Sequence, residues 1–281
     1  VLLMANRPVL TAEEIWRMYD CTEARLTAPV SERMVELAGL LPGMRVLDLA
    51  TGRGEPAVVA ARRVGPGGSV LGVDLSASLL QMARERAIRE GVANLELRVS
   101  NAESLDGVAK AHFHSTLVRW GLMYMDSPVA ALVAARRAMV PRGVLVAAVW
   151  AEPERVPYFT LPRRVLERYR PSSPIDPESP GTFRYADPER LHRDFLRGGF
   201  TIEHVEELDI PVMEAETGPD LVAWARAFGL TRLLNELPEE VQQAWEVDLV
   251  RAAEPLRRDG LVRLGGVTRV VVASSTESSD G

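Results

Sequence analysis

The apolar run Val46-Leu47-Asp48-Leu49 passes without a break into Ala50-Thr51-Gly52-Arg53-Gly54-Glu55-Pro56-Ala57, and this junction constrains the fold more than any other stretch of the chain. A short apolar run of this kind reads as a buried strand. The glycines let the backbone that follows pass close to a ligand, and Pro56 suits the first turn of a helix. Strand, glycine-rich loop and helix in that order open a parallel α/β sheet. The spacing Gly52-x-Gly54-x-x-Ala57, with Asp74 on a later strand end, also satisfies a dinucleotide fingerprint, so the loop alone leaves two cofactor classes open.

The sequence around this junction keeps the alternating rhythm. Strands are expected at Arg45–Ala50, Ser69–Asp74, Asn94–Val99, Ser115–Trp120 and Val144–Trp150. Between them fall helices at Pro56–Val64, Ser76–Glu90 and Pro128–Met139, the last capped by Ser127, and turns at Gly65-Pro66-Gly67-Gly68 and Pro141-Arg142-Gly143. Upstream, Thr11 to about Leu41 reads as helical, with Thr11 and Glu14 as a capping box, Ile15, Met18, Tyr19 and Leu26 at helical spacing, and Trp16 and Tyr19 as a packed face. Beyond Trp150, Glu152 to Tyr185 is Pro-rich and aromatic and reads as an insertion, with a helix near Leu161–Tyr169 and a loop near Pro171–Gly181. Asp187-Pro188 then starts a helix that Gly198-Gly199 stops. A strand at Phe200–Ile210, helices over about Pro219–Arg258, a strand at Leu261–Ala273 and a polar tail complete the pattern. The expected organisation is an N-terminal helical cap (1–41), a cofactor-binding core (42–151), a lid insertion (152–186), the core continued (187–212), a second helical lid insertion (213–259), and a final strand with a flexible tail (260–281).

Charge weighs against one class of partner. Thirty-three Lys and Arg stand against 39 Asp and Glu, mixed along the chain with no basic block. Phosphate-binding surfaces need concentrated positive charge, which argues against nucleic acid. A single cysteine, Cys21, forms no internal disulfide, and four scattered histidines make no typical zinc set, so a reducing cytoplasm and a metal-free mechanism are expected. No stretch reaches membrane-spanning length, and Val1-Leu2-Leu3 does not open a signal peptide; Met4 reads as a natural start.

Asp48 separates the two cofactor classes. A carboxylate at the end of the first strand would stand against a pyrophosphate, whereas a cationic amino-acid ligand is held by one, directly or through water. Its bland reading is a carboxylate bonded to the loop's own N–H groups. Asp74 at the second strand end suits both ribose hydroxyls, and Asn101-Ala102-Glu103 follows the third, where Asn101 is suited to an adenine edge or serves as a turn residue. Three successive strand ends thus carry polar groups for one extended ligand.

With these motifs in order, the chain resembles the class I S-adenosylmethionine-dependent methyltransferases, in the branch that includes the ubiquinone/menaquinone-biosynthesis type and many natural-product methyltransferases. Val46 to Gly54 corresponds to the first motif, Val73-Asp74-Leu75-Ser76 to the ribose motif and Asn101-Ala102-Glu103 to the adenine motif. Arg119-Trp120-Gly121-Leu122-Met123-Tyr124 and Pro141-Arg142-Gly143 continue it, and Phe183 to Pro188 matches more loosely. The resemblance implies a Rossmann-like α/β fold: a seven-stranded, mostly parallel sheet with an antiparallel last strand, helices on both faces, and helical lid insertions. It implies that Asp48, Gly52 and Gly54, with Ala50 and Thr51, line the methionine part. Asp74 and Leu75 would serve the ribose, Asn101, Ala102 and Glu103 the adenine, while Arg119 and Trp120 face the methionine end. Two positions depart from the pattern: Asn101 stands where many relatives have Asp, and His114 where an acidic residue is common. His112 and His114 read as solvated.

The activity so implied is direct, in-line transfer of a methyl group from S-adenosylmethionine, leaving S-adenosylhomocysteine, to a small and moderately hydrophobic acceptor, with a lean to oxygen over carbon or nitrogen. Secondary-metabolite or quinone-type biosynthesis is the expected setting. A sulfonium methyl is already electrophilic, so alignment and exclusion of water matter most. No catalytic residue is assigned; Tyr19, Tyr124, Tyr158, Arg184 and Tyr185, together with Trp224, lie on segments expected above the strand ends, where ordinary packing competes with a role. The alternatives are an NAD(P)-dependent oxidoreductase, a cofactor-binding module without catalysis, and a methyltransferase acting on tRNA or protein. Monomer and homodimer are both compatible with the sequence.

Overall fold

The computed structural model describes residues 12–171 and 178–275. Thr11 of the expected capping box, most of the Pro171–Gly181 loop and the polar tail past Ser275 lie outside the described residues, as do the side chains of Ile15 and Trp16. The described residues divide into two compact units, one of residues 28–155, 178–209 and 267–275, the other of residues 12–27, 156–171 and 210–266.

In chain order the helices are α1 (Ala12–Leu37), α2 (Ala57–Val64), α3 (Ala77–Arg89), α4 (Pro128–Ala138), α5 (Pro157–Leu166), α6 (Pro188–Arg197), α7 (Gly218–Ala225), α8 (Thr231–Asn235) and α9 (Glu239–Ala253). The strands are β1 (Arg45–Leu49), β2 (Ser69–Asp74), β3 (Leu95–Val99), β4 (Phe113–Arg119), β5 (Met139–Trp150), β6 (Phe200–Ala215), the two-residue β7 (Arg257–Arg258) and β8 (Leu261–Ser275). Their order is β3-β2-β1-β4-β5-β8-β6, with β7 paired to β8. Strands β3, β2, β1, β4 and β5 are parallel neighbours, and β8 runs antiparallel to β5. The expected seven long strands and antiparallel last strand are present, and β7 adds an eighth.

Burial in the larger unit explains its parallel strands. Val46, Leu47 and Leu49 of β1 and Leu145 to Val149 of β5 are at most 1% exposed, as strands covered on both faces must be. Ser76 caps α3 through the Leu79 amide, Ser127 caps α4 and Asp187 caps α6, so the helix starts expected at these residues form where side-chain oxygens meet orphan amides. Asn94 donates to the carbonyls of Ala61 and Gly65, pinning the start of β3 to the end of α2. His114 accepts from the Arg45 amide at 3.0 Å, so this imidazole serves the backbone rather than standing in solvent.

Three expectations change. The turn at Pro141-Arg142-Gly143 is a distortion inside β5: Met139 pairs with Phe113, the register shifts before Ser115, and Arg142 takes φ 63°. Strand β6 runs past Ile210 through Pro211 to Ala215 because it closes the sheet's path, and an edge strand tolerates a residue that cannot donate. Helix α5 begins earlier than expected, with Pro157 at its first position, and ends at Leu166.

The smaller unit packs helices around large side chains. Trp245 is fully buried and donates to the Pro162 carbonyl at 3.2 Å, while Tyr158 lies 4.7 Å from Trp224. Thr217 and Asp220 form a capping box at the start of α7. Removing that hydroxyl with Thr217→Ala is expected to cost about 1 kcal/mol of stability, read as a lowered thermal midpoint with cofactor affinity unchanged. Gly265 meets the chain at its closest approach: a Cβ there would lie 1.8 Å from the Ile210 carbonyl oxygen, so β8 admits only glycine at this point. Among the described residues no helix is long and apolar enough to cross a membrane.

Candidate functional site

Asp48 sits in the middle of the sheet, in register with Gly72 of β2 and Leu117 of β4, and is fully buried. Thr51 donates its hydroxyl to Oδ2 at 2.6 Å, while Oδ1 has no hydrogen-bond partner. Burial pushes the Asp48 carboxyl up to about 7, against the opposing pull of the Thr51 hydroxyl, the Arg119 guanidinium and the Ala57 amide. The hydrogen bond seen comes from a hydroxyl, and Oδ1 lacks the loop N–H partner of the bland reading.

The loop that follows is held from several sides. Ala50 leaves β1 at φ 50°, and Gly52, at φ 54°, has nothing within 4 Å of where a Cβ would project, so its open side admits a ligand against the backbone. Asp74 pins the loop: its Oδ2 accepts from the Gly52 amide and its Oδ1 from the Ser76 amide, each at 2.8 Å. From below, Arg86 of α3, 5% exposed, pairs with Glu55 at 3.2 Å and donates to the Arg53 carbonyl at 3.5 Å. Neither Arg86 nor Glu55 was marked by the motif pattern. Their only sequence signal is a pair of opposite charges on elements that the fold brings together.

At the next two strand ends the side chains divide their labour. Leu75 beside Asp74 is 71% exposed, an uncovered apolar surface at the mouth of the strands, and Ala102 is buried. Asn101 accepts from the Glu103 amide at 2.8 Å, which is the turn role weighed for it. Glu103 accepts from the Asp126 amide at 2.8 Å and so braces the segment after β4.

That segment starts at Arg119 and Trp120. Trp120 stacks on Trp150, the last residue of β5, with ring centroids 4.6 Å apart and an interplanar angle of 11°. The Arg119 guanidinium lies over the Trp120 ring, 4.7 Å from its centroid. Trp150 and Thr268, which accepts from the Trp120 indole, went unmarked because neither belongs to a loop motif; both terminate or face strand ends.

The side chains weighed for a catalytic role belong to both units. Tyr124 shares a hydrogen bond with Thr182 at 3.0 Å, and Arg184 donates to the Met125 carbonyl. Tyr185 is 1% exposed and its hydroxyl donates to Asp194; burial, and then Asp194, push its pKa up, so it is poorly placed to give up a proton. Tyr19 and Tyr158 belong to the smaller unit, where Tyr19 meets Phe228 edge-on at 5.5 Å and Tyr158 packs on Trp224. No group of three or more His, Cys, Asp or Glu among the described residues is arranged to hold a metal ion.

Residues 40–157 match the methyltransferase domain family. Over 120 residues the chain is 35% identical to the ubiquinone/menaquinone biosynthesis C-methyltransferase of Pseudomonas putida, covering 42% of this chain and 46% of that protein. Over 114 residues it is 31% identical to the aklanonic acid methyltransferase of a Streptomyces species, covering 41% of this chain and 51% of that one. The chain thus spans about half the length of the curated relatives it matches. Among solved structures, a SAM dependent methyltransferase from Aquifex aeolicus superposes with a TM-score of 0.54 at 20% identity, over 71% of this chain and 93% of that one. A (4+2)-cyclase superposes with a TM-score of 0.55 at 17% identity, over 97% of this chain and 99% of that one. These two likenesses establish a shared fold.

Proposed function

We propose that this chain, whose residues 40–157 match the methyltransferase domain family, transfers a methyl group from S-adenosylmethionine to a small, moderately hydrophobic organic acceptor. The observation that carries the reading is the Asp48 oxygen that is buried and has no hydrogen-bond partner. Burying a charge unpaired is costly, and a ligand ammonium relieves that cost. Arg119 acts electrostatically on the same carboxylate, which supports a role for this cation toward the carboxylate of an α-amino acid. A pyrophosphate gains nothing from a buried Asp48, which disfavours the NAD(P) alternative.

Asp74 keeps lone pairs for ribose hydroxyls beyond the two amides it already accepts, and exposed Leu75 offers a planar base an apolar face. When bound, S-adenosylmethionine supplies an electrophilic methyl on a positively charged sulfur. The chain's own part is then to fix the amino-acid, ribose and base ends, and to keep water out. With the hydroxyls of Tyr124 and Tyr185 already engaged, no dedicated base is assigned, and a hydroxyl acceptor, which sheds its proton more readily than carbon does, is the favoured class. The aromatic content of the smaller unit, Tyr158, Trp224 and Phe228, supports an apolar acceptor.

Calorimetry decides the cofactor. Micromolar binding of S-adenosylmethionine and S-adenosylhomocysteine is expected, with none of NAD(P)H; the reverse result would overturn the reading. Because the fold is shared with a cyclase, binding alone is insufficient. Mass spectrometry of an acceptor panel with a deuterated methyl donor reads transfer itself.

A further inference from the structure

Trp120 occupies its place against its own backbone preference. It sits at φ 53°, a left-handed conformation that a bulky side chain keeps only when its surroundings impose it. Those surroundings are specific. Its amide donates to the Ala148 carbonyl at 2.9 Å. Its indole Nε1 donates to Thr268 Oγ1 at 2.8 Å, and that hydroxyl in turn donates to the Val149 carbonyl at 3.0 Å. Trp150 stacks on the indole at 4.6 Å, and the Arg119 guanidinium lies 4.7 Å from its centroid. The only polar atom of the indole is thus already engaged.

The neighbouring residues interlock with the glycine-rich loop. A Cβ on Gly121 would lie 2.6 Å from the Cβ of Ala50, itself left-handed at φ 50°. Thus adjacent strands β1 and β4 both leave the sheet through strained residues, and the strain brings the Arg119–Trp120 step against the loop that follows Asp48.

We propose that Trp120 is a positioning residue for Arg119: the fixed indole holds the guanidinium flat so that Arg119 and Asp48 present a cation and an anion to the two ends of an α-amino acid. The inference rests on the S-adenosylmethionine reading above, since that ligand carries such an amino acid.

The test compares two ligands that differ in this end alone. By calorimetry, Trp120→Leu is expected to weaken S-adenosylhomocysteine about tenfold while leaving 5′-methylthioadenosine, which lacks the amino acid, within about twofold. Trp120→Phe keeps an aromatic face and stays within about threefold for both. Arg119→Met weakens S-adenosylhomocysteine at least as much as Trp120→Leu, and the double variant is no weaker than Arg119→Met alone, because both changes remove one interaction. Should Trp120→Leu not fold, Arg119→Lys keeps the charge without the planar face and is expected to show the same ligand selectivity. Equal weakening of both ligands, or additive effects in the double variant, would overturn the proposal. Failure of the unaltered protein to bind S-adenosylhomocysteine would overturn the cofactor reading instead, so the two failures are distinct.

Discussion

Asp48→Asn is expected to make the free protein more stable while weakening S-adenosylhomocysteine about a hundredfold, the order of loss for removing a charge-assisted partner in a buried site. The two effects have one origin. In the folded protein burial holds the Asp48 carboxyl near 7, well above the usual carboxylate range. A group that binds its proton more tightly when folded makes stability fall as pH rises, here from about 4 to about 7, with the full penalty present above that window. Asparagine carries no charge to bury, so its advantage grows through the same window and then levels, on the order of 1–3 kcal/mol after its own unpaired polar atoms are counted. Urea midpoints of both proteins at pH 5 and pH 8 measure this. Cofactor affinity runs the opposite way: it rises through pH 7 in the unaltered protein as Asp48 ionises, and Asp48→Asn abolishes the rise. A variant that lost affinity and stability together would show that Asp48 is a structural anchor alone.

Asp74→Ala removes a carboxylate that does two jobs. It accepts from the Gly52 and Ser76 amides, and it remains the acceptor available to ribose hydroxyls. Affinity for S-adenosylhomocysteine is expected to fall by about 1–3 kcal/mol, with a smaller loss of stability as the loop amides lose their partner. Asp74→Asn, which keeps one acceptor in place, should fall between. Unchanged affinity in the alanine variant would take Asp74 out of the ribose site.

The parts of the fold that were legible are those whose signals are local. Ser69–Asp74 is found as expected, and Asp187-Pro188 starts α6, because cap, proline and apolar run each act over a few residues. What escaped depends on neighbours far along the chain. Pro211 argues against a strand until β6 is known to close the sheet's path. At the site, the meeting of the loop after Asp48 with Asp74 at the next strand end was legible, since strand ends of a parallel sheet lie side by side. Asn101 holds the Glu103 amide in the turn role weighed for it, whereas Glu103, given to the base, also holds the Asp126 amide, which spacing does not reveal. The Trp120–Trp150–Thr268 cluster needed three strands to be aligned before it existed at all.

The position of β8 also sets an order of events during folding. Strand β5 pairs on one side with β4, close by in sequence, and on the other with Thr268 to Ser274, about 120 residues further on. A nascent chain that has completed the parallel half of the sheet therefore exposes a long, apolar strand edge, Val144 to Trp150, until those distant residues arrive. Non-local pairing of this kind is slow, and an unpaired apolar edge recruits other chains while it waits. Aggregation during refolding should accordingly rise with protein concentration, and a chain truncated before Val267 should be insoluble even though every cofactor residue is present.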